Sequence, residues 1–236
     1  MVNKNMLNHP LPPEDCKLFV AKETFYCFVP ITKVSSTFLR RALNGDNFDI
    51  HQWKMHATGD VGPDRKDVRF LVVLRDPVKR WVSGIVENFC RAYPDRDWSY
   101  NDNYDWLFDK IEFDIHTVPQ YKFLDVIDHA KTDWLWIPDS GIETHPWFTD
   151  NEVILSSVED EDRNFGHSRP LVWFVGEERF NEPQDGAVSS VPSSIIYNTV
   201  TQLIADQPAR AKVVRDYYKG DYDLIQSVTF YGNIKP

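Results

Sequence analysis

Two short stretches gather cations and hydroxyls within an otherwise acidic chain. The first, Val29-Pro30-Ile31-Thr32-Lys33-Val34-Ser35-Ser36-Thr37, sets one lysine beside a run of hydroxyl side chains. The second runs from Arg75-Asp76-Pro77 through Arg80 to Ser83. An ammonium is a mobile point charge, a guanidinium can hold a phosphate through two parallel hydrogen bonds, and hydroxyls donate to anionic oxygens. Arg80 and Ser83 are three residues apart and share a face if the segment is helical. The chemistry this suggests is the binding of phosphate-like groups. Between the stretches lie His51 and His56, in DIHQWKMHATGD. Imidazole, with an ordinary pKa near 6.5, suits proton removal near neutral pH.

The flanking residues predict what positions these groups. Thr24–Val29 (TFYCFV) reads as a strand from its aromatic and β-branched content. The loop at Lys33 then leads to a helix, STFLRRAL, which Ser35, Ser36 or Thr37 can cap and Asn44-Gly45 closes. Val68–Leu74 (VRFLVVL) is an unbroken apolar run, as expected of a strand buried on both faces of a parallel sheet. Pro77 suits the first turn of a helix over 77–92, with Trp81, Val82, Ile85 and Phe89 as its apolar stripe. Further helices are expected near 103–111, 119–130, 195–206 and 208–226, and strands near 133–137, 153–158 and 171–175. Residues 1–23 read as an N-terminal extension and 138–170 as an irregular insertion or lid, with Glu159–Asp162 a solvated loop. Residues 181–194 read as a surface connection. Strands alternating with helices predict an α/β fold: one domain over 1–236, three-layered, with a central, mainly parallel sheet flanked by helices.

Composition narrows the partners. A net charge of −10 counts against a broad nucleic-acid surface, while leaving room for a local basic pocket. The three cysteines, Cys16, Cys27 and Cys90, cannot all pair and stand at no metal-ligand spacing; Cys27 and Cys90 read as reduced core residues, and no metal site is expected. No segment approaches the roughly 18 apolar residues of a membrane span, and the opening MVNKNMLNHPLPPEDCKLF lacks the apolar core of a secretory signal. The expectation is a soluble, cytoplasmic protein.

FVPITKVSSTFL resembles the 5′-phosphosulfate loop of the Golgi-type carbohydrate sulfotransferases and their bacterial and viral relatives. RDPVKRWVS resembles their 3′-phosphate motif, R-[DE]-P-x-x-R-x-x-S, at every fixed position. The resemblance implies a P-loop-like sulfotransferase fold and 3′-phosphoadenosine 5′-phosphosulfate (PAPS) as sulfuryl donor. It further implies 3′,5′-ADP as product, direct in-line transfer, and a hydroxyl acceptor that is carbohydrate in the family's usual case. Lys33 falls on the lysine that steadies the transferring group, with Val34, Ser35, Ser36 and Thr37 completing the donor loop. Arg75 and Ser83 fall on the 3′-phosphate ligands. Thr32 and Ser35 depart from the usual proline and glycine; a positive φ at position 35 would strain serine. The heparan sulfate 2-O branch carries its base histidine about twenty residues before the arginine of this motif. His56, which is 19 residues before Arg75, fits better than His51, 24 before. The animal members are held in the Golgi membrane; a chain without such an anchor points to a bacterial, viral or shortened form.

Three positions carry two readings each. His116 and Gln120, in HTVPQYKFL, either shape the acceptor wall, as the similar family segment H-x-x-P-Q-x-x-F-L implies, or simply open a helix at Pro119. Arg80 either contacts the acceptor or pairs with Asp76. DYYKGDYDLI resembles the family's closing helix, where Tyr217, Tyr218 and Leu224 read as packing residues. Two other functions compete. A P-loop-related phosphotransferase would need magnesium and ATP, yet GxxxxGK[ST] is absent. A non-catalytic nucleotide- or glycan-binding module on the same fold is the other.

Overall fold

In the computed structural model, residues 16–55, 62–92, 105–109, 111–113, 116–125, 127–137, 141–156 and 193–233 are described. The chain is α/β, with a mixed five-stranded sheet in the order β3-β1-β2-β4-β5. The strands are β1 (Cys16–Ala21), β2 (Thr24–Val29), β3 (Asp46–Phe48), β4 (Val68–Leu74) and β5 (Thr132–Trp136). β2, β4 and β5 run parallel, while β1 pairs antiparallel with both β2 and β3. The helices are α1 (Ser36–Ala42), α2 (Ile50–Met55), α3 (Pro77–Ala92), α4 (Asp105–Asp109), α5 (Pro146–Asp150), α6 (Ser193–Asp206), α7 (Pro208–Tyr217) and α8 (Lys219–Ser227). Two compact units form: one contains all five strands with α1, α2 and α5, the other contains α3, α4, α6, α7 and the start of α8. No helix among the described residues is long and apolar enough to cross a membrane.

In the sheet unit, side chains alternate between faces, so Leu18, Cys27 and Phe70 share one face while Phe19, Tyr26 and Arg69 share the other. α2 covers the first face, with Trp53 edge-on to Phe70 and Phe48. α5 covers the second, where the buried Trp147 stands edge-on to Tyr26 at 5.1 Å. Beneath Trp147, Asp133 accepts hydrogen bonds from Tyr26 Oη (2.9 Å) and Trp147 Nε1 (2.9 Å) and pairs with Arg69. Burial and this carboxylate push the Tyr26 phenol up to about 12. Cys16 and Cys27 are both buried and unbridged.

The helical unit packs around α3. Trp81 is fully buried among Ile85, Leu107, Ile196, Val200 and Tyr218, and its Nε1 donates to the Ile111 carbonyl at 2.8 Å. Tyr218, buried and bonded to the Thr117 carbonyl, is the packing residue its sequence context suggests. Phe89 and Cys90 belong to α3, but their side chains lie outside the described residues.

Four expectations need revision. Cys16–Ala21 is a sheet strand rather than part of an extension, joined to β2 by a tight turn in which Lys22 and Glu23 both take positive φ (43° and 64°). No continuous helix spans 119–130: Gln120–Phe123 and His129–Lys131 form 3₁₀ turns, and the Asp128 carboxylate takes the Ala130 N–H. Within 138–170, α5 is regular, because the His145 ring caps it, Pro146 occupies its first turn and Trp147 anchors it. Residues 153–156 form no strand; Ser156 N donates instead to the Ala42 carbonyl at 2.8 Å. The strand expected at 171–175, the loop at 159–162 and the connection at 181–192 lie outside the described residues.

His145 makes the stability of this unit depend on pH. It is buried, Nδ1 accepts from Trp147 N at 3.1 Å, and Nε2 finds no partner. Burial lowers its pKa below 6.5, opposed by the Asp150 carboxylate. The unfolded ring therefore takes a proton at a pH where the folded ring does not. The stabilisation is complete above about pH 6.5 and is lost as pH falls through the lower folded value. Denaturant titrations between about pH 7.5 and pH 5 should show stability falling by up to about 1.4 kcal/mol per pH unit from this group. His145→Asn, which can cap without titrating, should remove that slope; an unchanged slope would exclude His145 as its source.

Candidate functional site

The site is built where β2 and β4 end. β2 hands over to Pro30 and Ile31, both buried, and then to a turn over 32–35 that enters α1. Within that turn φ is +64° at Lys33 and +61° at Ser35, but not at Val34 between them. Alternation of this kind turns successive backbone N–H groups toward one side, the geometry of an anion-binding concavity. Ile31, Val34 and Leu39 are fully buried and fasten the turn from beneath, while Lys33, Ser35 and Thr37 keep partial exposure. Ser36 is buried. Ser35 precedes α1 in the left-handed conformation and makes no side-chain cap. This is the position where the family pattern has glycine, and the strain anticipated there is present.

Arg75 follows the last residue of β4 and is half-buried. Its backbone is held by the side chain of Gln120: Arg75 N donates to Oε1 at 3.1 Å, and Nε2 donates to the Arg75 carbonyl at 2.9 Å. Its guanidinium reaches across to the lysine-bearing turn, where Nη1 donates to the Lys33 carbonyl at 3.4 Å. That bond is long and weak, yet it fixes proximity. Arg75, the first residue of the second stretch, thus meets the first stretch within the sheet unit.

The helical unit carries the remaining residues of the second stretch. The Asp76 carboxylate caps α3 by accepting from Lys79 N at 2.8 Å. Arg80 is fully buried, and its Nη1 donates to the Val118 carbonyl. Through this bond the side chain secures the 116–119 segment. Ser83 lies half-buried on α3. Gly84, which the sequence reading passed over, lets that segment approach: a Cβ there would sit 2.5 Å from the His116 carbonyl oxygen. His116 is half-buried.

Gln120 opens a 3₁₀ turn and is fully buried, with its amide oxygen and nitrogen both bonded to the Arg75 backbone. The base candidates divide. His51 lies in α2, with its side chain outside the described residues, and His56 lies outside them altogether. Among the described residues, no group of three or more His, Cys, Asp or Glu is placed to hold a metal ion. No protein-family model, curated protein or solved structure matches the chain.

Substitutions at two positions test this geometry. Ser35→Gly should raise stability by up to about 1 kcal/mol, because glycine adopts positive φ freely and no side-chain cap is lost; Ser35→Val should cost about 1–2 kcal/mol. Denaturant midpoints that rank valine above glycine would rule out a left-handed residue 35. Gly84→Ala should cost about 1–3 kcal/mol through overpacking against residues 116 and 117. A neutral result in the same titration would mean that the close approach is absent.

Proposed function

We propose that this chain is a sulfotransferase that moves the sulfuryl group of PAPS to a hydroxyl of an acceptor, with carbohydrate the acceptor class suggested by the sequence resemblance. The observation that carries the reading is the contact between Arg75 and the Lys33 turn. A bis-phosphorylated adenosine needs two anion sites a nucleotide's breadth apart, and here two differently built cationic elements sit together at neighbouring strand ends.

In this reading the Lys33 turn receives the 5′-phosphosulfate. The acceptor oxygen attacks sulfur in line as the sulfur–oxygen bond to the 5′-phosphate breaks. The acceptor proton passes to a base, and 3′,5′-ADP leaves. The Lys33 ammonium and the N–H groups of residues 33–37 offset the charge that builds on the leaving phosphate, which is where electrostatic stabilisation is most effective. Arg75 grips the 3′-phosphate. His56 is the proposed base, with His51 the alternative. A phosphotransferase would use the same turn for ATP, but nothing in its chemistry calls for an arginine that reads a 3′-phosphate.

Calorimetry decides between a dedicated 3′-phosphate site and a generic nucleotide pocket. 3′,5′-ADP should bind at least about tenfold tighter than 5′-AMP, as charge-assisted hydrogen bonds allow. Equal affinities, or a requirement for magnesium and ATP, would refute the proposal. Arg75→Ala should weaken 3′,5′-ADP by about 10- to 100-fold and leave 5′-AMP nearly untouched. Lys33→Ala should keep the fold by circular dichroism and lose at least about 100-fold in labelled-sulfate transfer from PAPS to a panel of glycans and alcohols.

A further inference from the structure

Gln120 offers both halves of a hydrogen-bonding pair to one residue. Its amide oxygen takes the Arg75 N–H (3.1 Å) and its amide nitrogen donates to the Arg75 carbonyl (2.9 Å), as a neighbouring strand would. β4 has already ended at Leu74, and β5 pairs with it only to that point, Leu74 opposite Trp136. Arg75 is thus the first residue past the ladder, where a chain would otherwise be free to turn. The side chain that replaces the ladder is fully buried and comes from the start of a 3₁₀ turn.

We propose that Gln120 is a positioning residue: it extends the sheet by one residue so that the Arg75 guanidinium is aimed at the 3′-phosphate of a nucleotide whose 5′-phosphosulfate lies in the Lys33 turn, and so sets the preference for a 3′-phosphate. The inference rests on the sulfotransferase reading above but adds a residue and a role to it. Only a side chain with an acceptor and a donor at fixed spacing can satisfy both Arg75 backbone groups. Because the clamp is a neutral amide, it orients the arginine without neutralising it. A carboxylate in the same place would satisfy Arg75 N–H, repel the Arg75 carbonyl, and offer the guanidinium a rival to phosphate.

That asymmetry supplies the test. In Gln120→Glu, a protonated carboxyl has the same acceptor and donor pattern as the amide, and a buried one takes up its proton more readily than usual. At about pH 8 this variant of the full chain should bind 3′,5′-ADP about tenfold more weakly than wild type, with 5′-AMP changed less than about twofold. At about pH 5.5 the deficit should shrink toward none. Ratios to wild type at each pH cancel the titration of the phosphates, whose second pKa is about 6. Gln120→Met, close in volume but lacking both bonds, should show the deficit at both pH values without recovery; it also serves as the comparison if the glutamate variant does not fold.

Wild-type-like 3′,5′-ADP binding in Gln120→Glu at pH 8 and in Gln120→Met would overturn the clamp while leaving the sulfotransferase reading in place. Equal weakening of both nucleotides would do the same, since it marks a purely structural residue. If wild type itself fails to prefer 3′,5′-ADP over 5′-AMP, the functional reading falls and Gln120's role in it falls too.

Discussion

Parallel pairing of β2 with β4 fixes where everything chemical on the sheet can be. The register sets Val29 opposite Val72, and β4 continues to Leu74 before Arg75. Because the strands run the same way, the segments leaving them emerge at one edge of the sheet, as in open α/β folds generally. An antiparallel pairing of the same two sequences would send the lysine-bearing turn and Arg75 to opposite ends. The 3.4 Å approach of the Arg75 guanidinium to the Lys33 carbonyl is the local result of that constraint. The hydrophobic sequences of the two strands, buried at Tyr26–Val29 and at Phe70–Leu74 where they approach the site, are therefore its physical basis.

The Lys33 turn is held in a conformation its residues do not prefer. Two non-glycine residues at positive φ within one short turn cost roughly 1–2 kcal/mol each. The side chains beside them offset this: Ile31, Val34 and Leu39 are completely withdrawn from water, and burying each contributes about 1.5–3 kcal/mol. Alternation of strained, partly exposed positions with buried ones ties the backbone shape to the core. The turn is thus organised before any ligand arrives, which lowers the ordering cost of binding.

Much of this was legible in the sequence because its elements announce themselves locally. Val68–Leu74 is unbroken apolar chain, Thr24–Val29 is aromatic and β-branched, and Pro77 marks a helix start. What escaped was set by partners distant in sequence. β1 closes onto β2 through Lys22-Glu23, a pair without the Asn-Gly signature of such turns, so only the ladder itself reveals it. The helix expected over 119–130 has adequate apolar spacing, but the Gln120 side chain is committed to a strand end and Asp128 captures a backbone N–H. Trp147 looks like part of an irregular stretch until Tyr26, Phe19 and Asp133 are seen to receive it. Arg80 matches a motif, yet burial against Val118 gives it a supporting task. Motif matching picked out Lys33 and Arg75, whose segments meet in the structure; it did not separate residues facing outward from those holding them.

The chain's acidity gives the choice of a neutral clamp added weight. With a net charge of −10, the nucleotide proposed above would approach against the average field and would have to be held locally. A cation serves that purpose only while its charge is available. Hydrogen-bonding the Arg75 backbone through the Gln120 amide fixes the origin of the side chain and does not itself draw on the charge at its tip. Rigidity and charge are thereby supplied by different atoms of one residue.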